Sequence, residues 1–416
     1  MGGTVTGAPP ESLTALVERF DPSVFDAPAG RARIRLRVKG AGEWDALVRG
    51  ERARLREATP DKRADAEITA DARAWREIAD GLQGGMEIFR AGRLVVRRDL
   101  HVGVGFLAAT TAAPGKGRLR FARVRTRAGR VATMEAGTGR PVLMLHGLGG
   151  TKISFLPTVA ALAPDFRMIA MDAPGFGDSD KPIGSYDAAF MARWAVSLLD
   201  SLGIERADVL GHSMGGRIAL ELGMRHPDRV RGLMLMTPSL AWRGNKPWAP
   251  YLRLLRPELG FLQPAPRPLV EGFVRRMIPG AADQSWSGAG VDEFLRAYLS
   301  PRGRVAFYAA ARQIYLEDGD GPDGFWTRLE QCAPRSLFLW GRRDQLVPIG
   351  FARHVASALP AAEHVELDCG HIPQFERPAQ THAALAAFLR GASAHSRRAR
   401  PAAAGNKRRR AQTGRG

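Results

Sequence analysis

With 416 residues, 45% of them apolar and 25% charged, the chain is too long for one ordinary core and has the balance of a globular protein, which excludes a fibrous or wholly disordered chain. Two cysteines, Cys332 and Cys369, exclude a disulfide framework and a multi-cysteine zinc site and suit a reducing compartment. Of the net charge of +19, eight positive charges lie in the tail Ser393–Gly416, which has no acidic residue, so the body carries +11.

From about Ser12 to Thr111 short strands and helices mix. Arg33 to Val38 alternates with period two, as a half-exposed strand does. Trp44 to Arg49 and Arg52 to Glu57 flank a Gly-Glu turn and read as a hairpin. Ala66 to Ala70 is a further strand. Asp71 caps a helix running to about Asp80. Gly84 and Gly85 precede a short helix, Met86 to Arg90; a strand starts at Leu94, and Leu100 to Ala109 reads as an amphipathic helix.

The run Ala66-Glu-Ile-Thr-Ala-Asp, with Trp75, Gly81 and Ala91-Gly-Arg-Leu-Val-Val-Arg-Arg-Asp, resembles the sterol carrier protein family over about 100 residues. That resemblance implies an α+β domain over 1–115 with an apolar tunnel for a sterol, fatty acid or acyl-CoA. It transfers no binding residue, and Arg98-Asp99 stands where such domains usually have Gly-Asp. The plain alternative is a small domain used for packing or dimerisation.

Residues 112 to 118 read as a linker. After Phe121 the rhythm changes. Strands are expected at Arg130 to Ala136, Pro141 to Leu145, Arg167 to Met171, Ala207 to Leu210, Val230 to Met236, Ser336 to Trp340 and Glu363 to Leu367. Helices are expected at Ala188 to Leu202, Met214 to Arg225, Gly350 to Leu359 and Pro378 to Leu389. Unbroken apolar strands alternating with helices predict a doubly wound, mostly parallel α/β sheet over 120–391. Nearly a hundred residues, about 239–332, interrupt the alternation and predict a helical lid. It holds Trp242, Trp248, Trp286, Trp326, Tyr251, Tyr298, Tyr308 and Tyr315. Those rings either face an apolar acyl or alcohol group or form the lid's own core.

Gly211-His-Ser-Met-Gly215 lies between an apolar strand and a helix. Such a turn exposes the Ser213 hydroxyl, and it needs Gly211 and Gly215 because a Cβ there would meet the turn or the next strand. A hydroxyl needs a base at neutral pH. Of the nine histidines, His371 fits best, in a loop after the last strand and at the same edge of the sheet as Ser213. Asp344, directly after the preceding strand, is the acid expected on its far nitrogen. Asp368 is the rival by proximity, and Asp318, Asp320 and Asp323 are rivals on the lid. Asp172 and Asp178 read as turn residues, and Gly147-Leu-Gly-Gly-Thr-Lys lacks the ending of a phosphate loop.

The order Ser213, Asp344, His371 and four further segments resemble the α/β-hydrolase family from about Phe121 to Arg390. These segments are Pro141-Val-Leu-Met-Leu-His-Gly-Leu-Gly-Gly, Ala170-Met-Asp-Ala-Pro-Gly-Phe-Gly-Asp-Ser, Gly341-Arg-Arg-Asp and Gly370-His-Ile-Pro-Gln-Phe-Glu-Arg-Pro. The resemblance implies an esterase- or lipase-like serine hydrolase without cofactor or metal. It also implies an oxyanion hole from the backbone N–H groups of Leu148 and Met214, with His146 shaping their loop. Carbon–carbon bond hydrolysis and cofactor-free haloperoxidase chemistry stay open on the same fold, as does a lipid carrier without enzymatic activity.

The N-terminus lacks the basic stretch and apolar run of a signal peptide, and no apolar run approaches membrane-span length. A cytoplasmic protein is expected, with its oligomeric state left open. The basic tail, 392–416, reads as disordered. It either draws the chain to anionic membrane lipid or nucleic acid or only aids solubility.

Overall fold

The computed structural model describes residues 8–27, 30–78, 86, 88–89, 91–111, 118–241, 256–262, 266–277 and 285–391. Most of the expected linker, the basic tail, Trp242, Trp248 and Tyr251 lie outside the described residues. For Trp286 and Tyr315 only the helical backbone is described.

Five strands form the N-terminal sheet: β1 (Arg31–Val38), β2 (Gly42–Arg49), β3 (Arg52–Glu57), β4 (Ala66–Ala70) and β5 (Leu94–Arg98). Their order is β3-β2-β1-β4-β5, with β1 parallel to β4 and the other neighbours antiparallel. Asp71 caps the helix Ala72–Ile78, its Oδ1 accepting from the Ala74 N–H at 2.7 Å. Two expectations change. Arg35 of β1 is buried, not solvent-facing, because its guanidinium pairs with the fully buried Asp45 at 2.9 Å and donates to the Thr59 carbonyl at 2.7 Å. The helix Leu100–Thr110 is not amphipathic, since all eleven of its residues are buried. It lies between β4 and β5 on one side and Phe25 and Phe121 on the other. A helix apolar all round belongs inside a protein.

The second sheet holds β6 (Arg120–Arg125), β7 (Arg130–Ala136), β8 (Pro141–Leu145), β9 (Arg167–Met171), β10 (Ala207–His212), β11 (Val230–Met236), β12 (Arg335–Gly341) and β13 (Glu363–Leu367). In the order β13-β12-β11-β10-β8-β9-β7-β6, all pairs are parallel except β7 with β9 and β6 with β7. Alternate strand residues serve opposite faces. Val142, Met144, Met168 and Leu210 pack towards the helices Leu156–Leu162 and Pro378–Leu389. Leu143, Leu145, Ile169 and Val209 pack towards Ala188–Ser201 and Met214–Arg225. The first of these cores runs on without a break into the N-terminal unit through Ile153, Phe121 and Phe106.

Charge reinforces that join. Lys152 is fully buried, with its ammonium 2.7 Å from Asp172 Oδ2 and 2.9 Å from Asp178 Oδ2. Asp178 also accepts from Arg296 of the lid helix Ser285–Tyr298 at 2.9 Å and lies 3.3 Å from His101 Nδ1 of the buried N-terminal helix. A second link runs from the same lid helix to β5. Asp292 accepts from Arg97 Nε at 2.6 Å, from the Arg98 N–H at 3.0 Å and from Arg267 at 2.6 Å.

Burial alone would push the Asp172 and Asp178 carboxyls up and the Lys152 ammonium down. Their mutual attraction overcomes this, so both carboxyls are held below their ordinary values and the ammonium above its own. The carboxylates therefore stabilise the fold above an unfolded-state pKa of 3.8, and that contribution is lost as pH falls through their lower folded values. The ammonium contributes fully below 10.5 and loses its contribution as pH rises through its higher folded value. Lys152→Met should cost about 3–5 kcal/mol in urea unfolding at pH 7, because it leaves two buried carboxylates facing each other. The difference from wild type should shrink in acid as those carboxylates protonate.

Candidate active site

β10 ends at His212, and the chain turns at Ser213 into the helix Met214–Arg225. Ser213 has φ 52° and ψ −116°, a conformation that costs a non-glycine residue on the order of 1–3 kcal/mol. The turn is feasible because both flanking glycines are pressed against backbone. A Cβ on Gly215 would stand 1.9 Å from the Leu145 carbonyl oxygen of β8, and one on Gly211 would stand 2.3 Å from the Gly215 oxygen. The Ser213 N–H donates to the Met236 carbonyl at 3.0 Å, which fastens the turn to the end of β11. Ser213 is buried, and its Oγ lies 3.4 Å from the hydroxyl of Ser239.

Asp344 and His371 come from the loops after β12 and β13. His371 Nδ1 and Asp344 Oδ2 are 2.8 Å apart, and both side chains are buried. A carboxylate accepts only, so Nδ1 carries the proton and Nε2 is the basic nitrogen. The other Asp344 oxygen accepts from the N–H groups of Leu346 at 2.8 Å and Val347 at 3.0 Å, which fixes the carboxylate. Glu376 braces the histidine loop from below, accepting from the Gly370 N–H at 2.8 Å and the Ile372 N–H at 3.2 Å. Between the strands, a Cβ on Gly341 would meet the Gly370 carbonyl oxygen at 2.1 Å.

The rival acids lie elsewhere. Asp368 is a surface residue paired with Arg343 at 3.0 Å and Arg377 at 3.4 Å. Asp318, Asp320 and Asp323 are exposed. Asp172 and Asp178 hold Lys152, which is the physical reason they stand in this turn. His146 accepts from the Ala173 N–H at Nε2, 3.0 Å, and donates from Nδ1 to the Gly147 carbonyl at 2.8 Å. Burial keeps its ring neutral by lowering its pKa, and it pins the Gly147–Gly150 loop to the Asp172 turn.

Leu148 lies in that loop, next in sequence to Gly147, which approaches Ser213. A Cβ on the neighbouring Gly147 would be 3.2 Å from Ser213 Cβ. Met214 is buried at the first helical position. The helix dipole and unpaired N–H groups at this end favour developing negative charge. A small cleft opens over the loop, lined by Gly149, Gly175, Phe176, Phe294, Ala297, Tyr298, Gly303 and Phe307. No charged side chain lines it. Trp326 instead packs on Phe325 and on Phe351 of the helix Phe351–Ala358, as part of the core that covers the second sheet.

Three residues at the site were not singled out for it by sequence: Glu376, Thr237 and Ser239. Glu376 stood within the quoted histidine segment, five residues after His371. Thr237 and Ser239 follow the end of β11, the strand beside the one that carries the serine. Cys369, next to this loop, has its thiol pushed up to about 12 by burial, which keeps it unreactive. Among the described residues no group of three or more His, Cys, Asp or Glu side chains could hold a metal ion, and no helix is long and apolar enough to cross a membrane.

Gly341→Ala should drive the loops after β12 and β13 apart. The expected result is a loss of about 10²-fold or more in any turnover that uses the His371–Asp344 pair, as displacement of a reacting group by about 1 Å gives. A lower unfolding temperature should accompany it. Wild-type kinetics in that variant would show that the loops need no such close approach.

Residues 140–378 match the alpha/beta hydrolase fold family. Over 277 residues the chain is 30% identical to a 2-hydroxymuconate semialdehyde hydrolase from a Pseudomonas strain, covering 62% of this chain and 90% of that protein. It is also 30% identical over 268 residues to the dihydrolipoyllysine-residue acetyltransferase component of the acetoin cleaving system of Cupriavidus necator. There the match covers 62% of this chain and 65% of the relative, less than two thirds of its length. A crystal structure of a membrane phospholipase A, described as a bacterial virulence factor, aligns with TM-score 0.54 at 26% identity, over 66% of this chain and 86% of that one. The enol-lactonase of Burkholderia xenovorans, 21% identical with TM-score 0.54 over 65% and 99% of the two chains, shares the fold. The strand order, the strained serine turn and a family match over more than half of its length agree: the chain belongs to the alpha/beta hydrolase fold family.

Proposed function

We propose that the chain is a serine hydrolase that cleaves carboxylic esters of apolar, lipid-like substrates through an acyl-serine intermediate. The observation that carries this reading is the 2.8 Å bond from His371 Nδ1 to Asp344, at the sheet edge where Ser213 turns. His371 Nε2 takes the Ser213 proton as Oγ attacks the carbonyl carbon, and the histidine then passes it to the departing alkoxide. Water attacks the acyl-serine with the same base, and the acid leaves. Asp344 fixes the tautomer and stabilises the imidazolium. The backbone N–H groups of Leu148 and Met214 serve as the oxyanion donors, by the family resemblance; such a donor contributes about 10²–10³ in rate. The uncharged aromatic cleft supports an apolar group on the substrate.

A second reading has support of its own. Two relatives are named as hydrolases of 2-hydroxymuconate semialdehyde and of 2-hydroxy-6-oxo-6-phenylhexa-2,4-dienoate. The second name describes a ketone without an ester, so its hydrolysis must cut a carbon–carbon bond. The same serine and histidine serve either reaction, because both begin at an electrophilic carbonyl. A panel of p-nitrophenyl esters of graded chain length, run beside a 6-oxo-dienoate, separates the two. Preferential turnover of medium or long esters is expected, with Ser213→Ala lowering it by about 10⁶. Turnover of the dienoate alone would transfer the proposal to carbon–carbon bond cleavage, and turnover unaffected by Ser213→Ala would end both.

The N-terminal unit enters this proposal as a sterol-carrier-like domain that presents or senses an apolar ligand. Its support is the pattern over 66–99 and its direct bond to the lid through Asp292. A fluorescent fatty-acid analogue titrated into the full chain should saturate and be displaced by palmitate. Without saturable binding the lipid is dropped from the proposal.

A further inference from the structure

His212 takes no part in the chemistry above, yet it stands beside the nucleophile and is buried to 6% exposure. Its Nε2 lies 2.8 Å from the main-chain oxygen of His371. The same oxygen accepts from the hydroxyl of the fully buried Thr237 at 2.9 Å. A carbonyl only accepts, so the His212 proton must be on Nε2. Burial, with the His371 ring close by, pulls this imidazole down to about 3, so it stays neutral and donates one bond. Its other edge meets the oxyanion loop, where a Cβ on Gly147 would lie 3.0 Å from Nδ1. The ring therefore fills the space between that loop and the His371 backbone.

Thr237 reaches the same atom from the next strand. It leaves β11 with φ 40°, and its N–H donates to the Leu339 carbonyl of β12 at 2.9 Å. Two adjacent strand ends thus each send one donor to a single carbonyl. Asp344 holds the His371 ring, while His212 and Thr237 hold its backbone. The fixed distance between the histidine loop and the serine turn follows, since His212 and Ser213 are consecutive.

We propose that His212 and Thr237 are positioning residues that set where His371 stands relative to Ser213, a role that rests on the serine-hydrolase reading above. Losing one donor frees the histidine loop to drift, which slows proton transfer without changing what the aromatic cleft binds. His212→Leu fills the space without a donor, whereas His212→Gln keeps an N–H at similar reach. Thr237→Val and Thr237→Ser form the equivalent pair and keep the question answerable where His212→Leu does not fold.

The test compares kcat and KM on the best ester with the rate at which a fluorophosphonate probe labels Ser213. His212→Leu should lower kcat and the labelling rate together, by about 10–100-fold, with KM within about twofold. His212→Gln should recover most of the loss. Thr237→Val should lose less, and the double variant should lose less than the product of the two, because both donors serve one oxygen. Equal rates in His212→Leu and His212→Gln, or a change confined to KM, would overturn the proposal. The probe also separates this failure from that of the function. A wild type that labels but turns over no ester, with labelling still sensitive to the missing donor, keeps the positioning role and removes the ester. A wild type that does not label at Ser213 removes both.

Discussion

One buried ammonium ion joins the parts of this molecule that would otherwise be separate. Lys152 follows the Gly147–Gly150 loop and meets Asp172 and Asp178 after β9. Asp178 in turn meets the lid through Arg296 and the N-terminal helix through His101. Two carboxylates this close repel each other in an interior of low dielectric, so the turn depends on the ammonium that separates them. The buried charge acts as a point of registration. It fixes the loop beside Ser213, the lid above it and the N-terminal unit behind it relative to one another.

The site imposes a second constraint, that of room. Ser213, His371 and Asp344 come from the ends of three strands, and their backbones must approach closer than side chains ordinarily allow. Gly215 of the helix presses against β8, Gly211 of β10 against the start of that helix and Gly341 of β12 against the histidine loop, each at a distance where a Cβ would overlap an oxygen. The parallel sheet brings the strand ends to one edge, and the glycines let the turns on that edge close up. Hydrogen bonds then settle the remaining freedom: Asp344 from Leu346 and Val347, and the loop around His371 from Glu376, His212 and Thr237.

What could be read in the sequence follows from which forces are local. The serine turn and the acid announce themselves because each follows a largely apolar strand, and the histidine because its loop lies between the last strand and the last long helix; strand ends are local events. The alternation of strand and helix gave the sheet for the same reason. Less was legible where partners are far apart in sequence. Arg35 has the alternation of a solvent-facing residue, and only its pairing with Asp45 and the Thr59 carbonyl explains its burial. Leu100–Thr110 has the length of an ordinary helix, but its last residues and His101 face a unit that begins after the linker. The helix Leu156–Leu162 was not anticipated because it is buried on nearly every side and shows no polar face to set a period. Strand β6 is less legible because Arg120, Arg123 and Arg125 set no strict alternation and Phe121 and Val124, its two large apolar residues, stand three apart.

The lid is fastened at both ends by charge, and this decides which of its parts can move. At one end Asp292 and Arg296 tie the helix Ser285–Tyr298 to β5 and to the Lys152 cluster. At the other, Glu317 accepts from the buried Arg217 at 2.6 Å, on the helix that starts after Ser213, and Arg328 joins Glu221 at 2.9 Å. Between these anchors lie Phe294, Tyr298, Phe307 and Tyr308, in edge and stacked contacts that carry no such bonds apart from the Tyr298–Tyr308 hydroxyl pair at 3.0 Å. Apolar ring contacts can rearrange at small cost, whereas each buried ion pair that opens exposes an unpaired charge. Movement of the aromatic residues alone therefore costs less than lifting the whole lid. It also leaves the N-terminal unit and the helix behind Ser213 holding the frame while the cleft changes shape.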